Sequence, residues 1–125
     1  MKTAFIVDDN PLNAELMRFV LEAKGWAVHV AVDAEEAQVR LGDVRADVIL
    51  MDLSLPGIDG LELTRRLKAD PSTRAIPIVA VTASAMKGDD ARARDAGCDG
   101  YITKPIDTRR FAGQLEELLE ARRPT

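Results

Sequence analysis

The chain has 125 residues, of which 46% are hydrophobic and 30% charged, with a formal net charge of −4 and a single cysteine. This composition is typical of a globular domain with a sizeable core, and the acidic balance disfavours direct binding to nucleic acid or anionic lipid. A lone cysteine excludes an internal disulfide, the apolar run after Met1 is too short for an export signal, and no stretch approaches the roughly 20 apolar residues of a membrane span.

The first half of the chain alternates short apolar runs with longer segments of helical spacing. Runs rich in valine and isoleucine, bounded by Asp, Gly or Pro, favour strands. Apolar pairs four residues apart, followed by a glycine, favour a helix and its end. The predictions are a strand at Ala4–Val7, a helix with the pairs Leu16/Val20 and Met17/Leu21 that stops at Gly25, a strand at Ala27–Val32 and a helix at Ala34–Leu41.

The second half continues the same alternation. Three of the five apolar runs in the chain are nearly continuous, which is typical of strands buried on both faces. The predictions here are strands at Val48–Met51, Ile78–Val81 and Tyr101–Thr103, helices at Leu61–Ala69 and Gly88–Ala96, and a last helix with the stripe Phe111, Leu115, Leu118 and Leu119.

A strand followed by a helix, five times over, predicts an α/β fold. Strands separated by helices lie parallel, and right-handed crossovers place helices on both faces of one sheet. We therefore predict a doubly wound (βα)5 fold with a five-stranded parallel sheet. In such a sheet the working site lies beyond the carboxyl ends of the strands.

Polar side chains follow four of these strands. Asp8 and Asp9 follow the first, Asp52 the third, Thr82 the fourth and Lys104 the fifth. Clustered carboxylates repel one another by roughly 4 kcal/mol per close pair, so that a proton or a cation must neutralise them. An open, all-oxygen cluster suits Mg²⁺.

The same residues can serve phosphoryl transfer. A carboxylate such as Asp52 is a nucleophile towards phosphorus, while a metal ion, Lys104 and the Thr82 hydroxyl can stabilise charge on the phosphoryl oxygens. Taken singly, each of these residues is better explained as a turn, cap or strand-end residue. Taken together, they favour a phosphoryl-accepting site.

Four segments carry a resemblance to a known family, the response-regulator receiver domain of two-component signalling. The similarity runs from about Lys2 to Glu120, and it rests on the ordered set Phe5–Asn10, Ile49–Gly60, Val79–Ala83 and Tyr101–Pro105. The resemblance implies a flavodoxin-like strand order, 2-1-3-4-5. It also implies a stand-alone single receiver domain over residues 1–125, with a core at 2–120 and no output domain.

The resemblance implies a role for each site residue. Asp52 would accept a phosphoryl group from a histidine kinase or a histidine phosphotransfer protein in a Mg²⁺-dependent reaction, and Mn²⁺ could substitute for Mg²⁺. Asp8, Asp9, Asp52 and the backbone carbonyl of Ser54 would bind the metal. Lys104 would pair with the phosphoryl group, the bond to Pro105 would be cis, and Thr82 and Tyr101 would form the switch pair.

The resemblance also implies partners. The surface that docks on a helical phosphohistidine bundle would comprise Asn10, Pro11, Leu12, Asn13, Leu16 and Ile106. Output would pass to a downstream protein, at the face formed by the fourth and fifth helices. We expect a cytoplasmic signalling domain, not an enzyme with a separate substrate, that is a monomer or a weak phosphorylation-dependent dimer without direct contact to nucleic acid or membrane.

Other readings remain open. The chain could be one receiver excised from a larger regulator or hybrid kinase, or a degenerate receiver that acts only as a scaffold. An aspartyl-phosphate phosphatase would be expected to have a second acid two residues after the nucleophile, where this chain has Ser54. A flavodoxin-like cofactor binder would need a phosphate loop after the first strand, where acids would instead repel phosphate.

Overall fold

Strands and helices alternate along the chain in the computed structural model, which describes residues 2–53, 60–82 and 89–122, without side chains at 89, 90 and 122. The strands are β1 (Thr3–Val7), β2 (Ala27–Ala31), β3 (Val48–Asp52), β4 (Ile78–Thr82) and β5 (Gly100–Thr103). The helices are α1 (Pro11–Ala23), α2 (Ala34–Leu41), α3 (Gly60–Ala69), α4 (Asp89–Ala96) and α5 (Phe111–Arg122). Each predicted element is present with small shifts at its ends, and Gly88, the predicted first residue of the fourth helix, lies outside the described residues.

The strands form one parallel sheet in the order β2-β1-β3-β4-β5, as predicted. The strand order reverses at β1, which pairs with β2 on one side and β3 on the other. The inner strands β3 and β4 are buried along their whole length, and β1 is buried from Ala4 onwards. This burial accounts for their nearly continuous apolar sequences.

At their carboxyl ends, two strands extend one residue further than their apolar runs predict. Asp52 is the last residue of β3, where it pairs with Val81, and Thr82 is the last residue of β4, where it pairs with Thr103. The backbone ladder thus continues into the polar residues, which keeps both side chains on rigid strand ends. The second strand is one residue shorter than predicted, because Val32 lies beyond its last pair and is exposed.

The sheet separates two hydrophobic cores. Helices α2, α3 and α4 cover one face and α1 and α5 the other, so the fold is doubly wound as predicted. In the first core, residues such as Phe5 and Leu63 are fully buried. In the second, the predicted stripes of the first and last helices supply Met17, Phe111 and Leu115.

Helix α1 begins beside the first acid pair. The side chain of Asn10 caps the helix by accepting hydrogen bonds from the backbone N–H groups of Leu12 (2.9 Å) and Asn13 (3.3 Å), and Pro11 occupies the first turn. The chain turns after the helix at Gly25, whose φ of 88° is readily adopted only by glycine. No helix in the described parts of the chain is long and apolar enough to cross a membrane.

A partly buried ion pair holds the opposite, amino edge of the sheet. Lys68 Nζ lies 2.9 Å from Asp99 Oδ2, and the two side chains are 19% and 25% exposed. The same Asp99 oxygen accepts a hydrogen bond from the backbone N–H of Ile78 at 2.9 Å. This pair ties α3 to the starts of β4 and β5, the strands that carry Thr82 and Tyr101.

Replacing Asp99 by alanine is expected to lower the free energy of unfolding by about 1–3 kcal/mol, because Lys68 and the Ile78 N–H lose the acceptor that they share. The control is Arg18→Ala, which removes one partner of the exposed Arg18–Glu22 pair (3.4 Å) and should change this free energy by less than about 1 kcal/mol. Urea unfolding followed by circular dichroism measures both. Equal losses in the two variants would contradict the role of Asp99.

Candidate functional site

Three carboxylates meet at the carboxyl edge of the sheet. One oxygen from each of Asp8, Asp9 and Asp52 lies within 4.8 Å of the other two. Asp8 and Asp52 are buried, 1% and 5% exposed, whereas Asp9 is exposed. At this separation and an effective dielectric constant near 20, each pair of charges repels by roughly 3.5 kcal/mol. The cluster therefore favours a cation.

Backbone contacts fix Asp8 on the turn between β1 and α1. Its own N–H donates to the carbonyl of Ala31 at 3.0 Å, which continues the ladder between β1 and β2. Its Oδ1 accepts a hydrogen bond from the backbone N–H of Asn10 at 2.8 Å. Among the residues that the structure describes, Asp8 Oδ2 is the buried side-chain oxygen that forms no hydrogen bond.

Lys104 brings a positive charge to the cluster from the end of β5. Its Nζ lies 3.2 Å from Asp8 Oδ2 and 3.6 Å from Asp52 Oδ2, and its side chain is 12% exposed. The backbone N–H of Lys104 donates to the carbonyl of Thr82 at 2.7 Å, which holds it beside β4. The Lys104–Pro105 peptide bond is cis, the geometry that the resemblance implies.

The donor set fits a hard divalent cation. It consists of carboxylate oxygens, and the buried Asp8 Oδ2 forms an ion pair with Lys104 at 3.2 Å but no hydrogen bond. The charge of Lys104 offsets only part of the charge of three carboxylates, so a bound cation would reduce the remaining repulsion. Ser54, predicted to add a backbone carbonyl, lies outside the described residues.

Thr82 and Tyr101 lie on the neighbouring strands β4 and β5. Thr82 is buried at 2% exposure, at the same sheet edge as Asp52. Tyr101 is half-buried and packs against the core formed with α2, α3 and α4. It lines two surface hollows of about 330 and 390 Å³, and Leu118 of α5 lines both as well.

The predicted docking residues differ in their exposure. Leu12 is 81% exposed, Asn10 and Pro11 are also exposed, and Asn13 and Leu16 are half-buried. Phe19, which lies two turns after Leu12 on the same face of α1, is 72% exposed and extends this surface. Ile106, in contrast, is 8% exposed, because it packs into the core beneath α1 and α5, and it offers little surface to a partner.

Gly60 is a residue of the site that the sequence analysis missed. Its backbone lies against that of Asp52 and Leu53: a Cβ on Gly60 would lie 2.7 Å from Leu53 Cα, and closer still to the Asp52 carbonyl oxygen. The Gly60 N–H also donates to the Leu53 carbonyl at 3.3 Å. The adjacent Asp59-Gly60 dipeptide signals a turn, but no local pattern reveals so close an approach.

Cys98 takes no part in the acid cluster. It is buried at the turn between α4 and β5, and burial raises the pKa of its thiol. A protonated, buried thiol is a poor nucleophile, in agreement with the structural role that its isolated position suggests.

Comparisons with known proteins agree with this geometry. A family model described as response regulator receiver domain matches residues 4–116. The polar-differentiation response regulator DivK of Brucella anthropi is 45% identical over 118 residues, which cover 94% of this chain and 96% of that protein. DivK of Brucella ovis is 44% identical over the same shares.

Solved structures of similar shape include other proteins of this kind. A putative response regulator from Chloroflexus aurantiacus J-10-fl superposes with a TM-score of 0.89 at 31% identity, covering 95% of this chain and 98% of its own. The receiver domain of a sensor histidine kinase from Pseudomonas aeruginosa PAO1 has a TM-score of 0.85 at 32% identity, with the same coverage. That domain was solved with a magnesium ion coordinated in its active-site cleft.

The different surroundings of Gly60 and Gly113 predict opposite effects on stability when each is replaced by alanine. Gly60→Ala is expected to lower the free energy of unfolding by about 1–3 kcal/mol, because the new methyl group meets backbone that cannot move aside cheaply. Gly113→Ala lies in α5, where a Cβ meets nothing within 4 Å. It should raise the same quantity by up to about 1 kcal/mol, through helix propensity. Urea unfolding measures the free energy of unfolding of both variants, and an unchanged value in Gly60→Ala would contradict the packing of Gly60 against Asp52.

Proposed function

The chain belongs to the response regulator receiver domain family, and from this premise we propose that Asp52 accepts a phosphoryl group from a histidine kinase or a histidine phosphotransfer protein. Receiver domains are signalling domains, not classical enzymes, and they interact with histidine kinases and downstream targets. The observation that carries the proposal is the position of Asp52. Its buried carboxylate lies 3.6 Å from Lys104 and within 4.8 Å of oxygens of two further acids.

The transfer requires one bond to form and one to break. A carboxylate oxygen of Asp52 attacks phosphorus, the bond between phosphorus and the donor imidazole nitrogen breaks, and the imidazole keeps the electron pair of that bond. Lys104 already faces Asp52, so its ammonium can move to a phosphoryl oxygen over a short distance. The Thr82 hydroxyl, at the neighbouring strand end, can donate to another phosphoryl oxygen.

We propose Asp8, Asp9, Asp52 and the backbone carbonyl of Ser54 as protein ligands of Mg²⁺. When bound there, the ion would offset the negative charge of the acids and of the phosphoryl oxygens. Mn²⁺ has similar preferences for oxygen ligands and could substitute. The close approach of the three carboxylates, with one oxygen of each within 4.8 Å of the other two, supports a cation in this position.

Thr82 and Tyr101 are proposed to report phosphorylation to the surface. Once the Thr82 hydroxyl turns towards the phosphoryl group, the space behind it can admit the ring of Tyr101. Tyr101 is half-buried and borders two surface hollows, so a movement of its ring would change the shape of the surface there. The change would alter the face formed by α4, β5 and α5, where a downstream protein would bind.

The start of α1 is proposed to dock on the phosphodonor protein. Asn10, Pro11 and Leu12 are exposed directly after the acid pair, and Asn13 and Leu16 continue the surface. Covering an apolar side chain as exposed as Leu12 with a partner surface lowers the free energy of the complex. Ile106 would support this surface from beneath.

A stand-alone organisation over residues 1–125, a cytoplasmic location and a monomeric or weakly dimeric state remain predictions.

Incubation with a small acyl phosphate and Mg²⁺ is expected to add one acid-labile phosphoryl group, and Asp52→Ala should abolish its uptake. Phosphate-affinity electrophoresis measures the modified fraction. Asp43→Ala, which removes an exposed acid from the turn after α2, is the control and should be phosphorylated like the unaltered protein. Uptake by Asp52→Ala would refute the assignment, and steady turnover of unrelated phosphate esters would favour a phosphatase.

Mg²⁺ is expected to stabilise the protein by about 2.7 kcal/mol at a concentration 100 times its dissociation constant. Asp9→Ala should remove most of this gain, and it should raise the stability in EDTA, because it relieves the repulsion of Asp8 and Asp52 by the Asp9 carboxylate. Asp43→Ala should keep the full gain. Urea unfolding in EDTA and in Mg²⁺ measures the difference, and an undiminished gain in Asp9→Ala would exclude Asp9 as a ligand.

A further inference from the structure

A buried hydroxyl lies behind Asp52, outside the acid cluster. Thr64 is 0% exposed, and its Oγ1 donates a hydrogen bond to the carbonyl of Gly60 at 2.7 Å. The Sγ of Cys98 lies 3.9 Å from the same oxygen, so the thiol donates weakly to the hydroxyl. Hydrogen bonds thus run from the turn before β5, through Thr64, to the first residue of α3.

Gly60, the last residue in this series of hydrogen bonds, contacts the backbone of Asp52, the proposed phosphoryl acceptor. Gly60 has no side chain, and its backbone rests directly on that of Asp52 and Leu53. Its N–H donates to the Leu53 carbonyl, and its carbonyl accepts from Thr64. A shift of Gly60 would therefore displace Asp52, since no flexible side chain lies between the two backbones to absorb it.

We propose that Thr64 is a positioning residue for the acceptor site, and this inference rests on the proposed function of Asp52. By holding the first turn of α3, its hydroxyl would set the position of Asp52 relative to Asp8, Asp9 and Lys104. Metal binding and phosphoryl transfer need their groups placed to within about 0.5 Å. Thr64 would act through backbone position, because its hydroxyl forms hydrogen bonds with the Gly60 carbonyl and the Cys98 thiol.

A threonine that bonds to the carbonyl four residues earlier is common in helices and usually has only a local effect. Two features give this one a longer reach. The carbonyl belongs to Gly60, which packs against Asp52, and complete burial leaves no water to replace the hydrogen bond. Burial also raises the pKa of the Cys98 thiol, so the thiol keeps its proton and remains a donor at neutral pH.

The same helix region supplies a matched control in Thr73. This residue is 5% exposed, and its Oγ1 donates to the carbonyl of Leu67 at 2.6 Å, near the other end of α3. Thr64 and Thr73 thus share side-chain chemistry, burial and type of acceptor. They differ in the residue whose carbonyl accepts the hydrogen bond: Gly60, which accepts from Thr64, packs against Asp52, whereas Leu67, which accepts from Thr73, lies near the other end of α3.

The experiment compares Thr64→Val, Thr64→Ser and Thr73→Val with the unaltered protein. Titration calorimetry gives the Mg²⁺ dissociation constant, and phosphorylation by a small acyl phosphate at saturating Mg²⁺ gives the rate constant. Thr64→Val, of nearly the same shape but without the hydroxyl, is expected to weaken Mg²⁺ binding about 10-fold and to slow phosphorylation. Thr64→Ser should restore both, and Thr73→Val should lose stability while leaving both unchanged.

Unchanged affinity and rate in Thr64→Val, or equal changes in Thr73→Val, would overturn the inference. If Thr64→Val does not fold, Cys98→Ala replaces it: loss of the thiol donor should weaken Mg²⁺ binding in the same direction, and no change would overturn the inference. If the unaltered protein binds Mg²⁺ but takes up no phosphoryl group, the proposed function fails, and the Mg²⁺ affinities still decide the role of Thr64.

Discussion

Mutual repulsion between three carboxylates is the constraint on which the site depends. One oxygen from each of Asp8, Asp9 and Asp52 lies within 4.8 Å of the other two, and among the residues that the structure describes the Lys104 ammonium faces Asp8 and Asp52. One positive charge offsets only part of three negative charges, so the site keeps a net attraction for cations. A domain can hold such a cluster only if the backbone around it resists being pushed apart.

The parallel sheet supplies that resistance. Asp52 is the last residue of a strand with neighbours on both sides, and Asp8 continues the ladder of β1 through its bond to Ala31. At the opposite edge, Asp99 ties the starts of β4 and β5 to α3. The strands are therefore fixed at both ends, and the carboxylates cannot reduce their repulsion by moving apart. The repulsion that remains favours the binding of a cation.

The sequence predicts the elements and the main site residues because both follow from short-range or topological rules. Buried strands are continuously apolar, helices show a spacing of four, and parallel strands bring residues as distant as Asp8 and Lys104 to one edge. The supporting contacts follow from no such rule. The approach of Gly60 to Asp52 and the bond between Thr64 and Cys98 depend on how closely separate elements pack, and periodicity carries no information about that distance.

The division into two cores has an evolutionary consequence. The exposed face of α1 belongs to the helix layer that includes α5, whereas Thr64, Cys98 and the ring of Tyr101 pack on the other side of the sheet. Substitutions on opposite sides of the sheet share few contacts, so their effects on stability should be nearly additive. Descendants of one ancestral chain can therefore vary the exposed face of α1, after gene duplication for example, while they inherit the packing on the other side of the sheet unaltered.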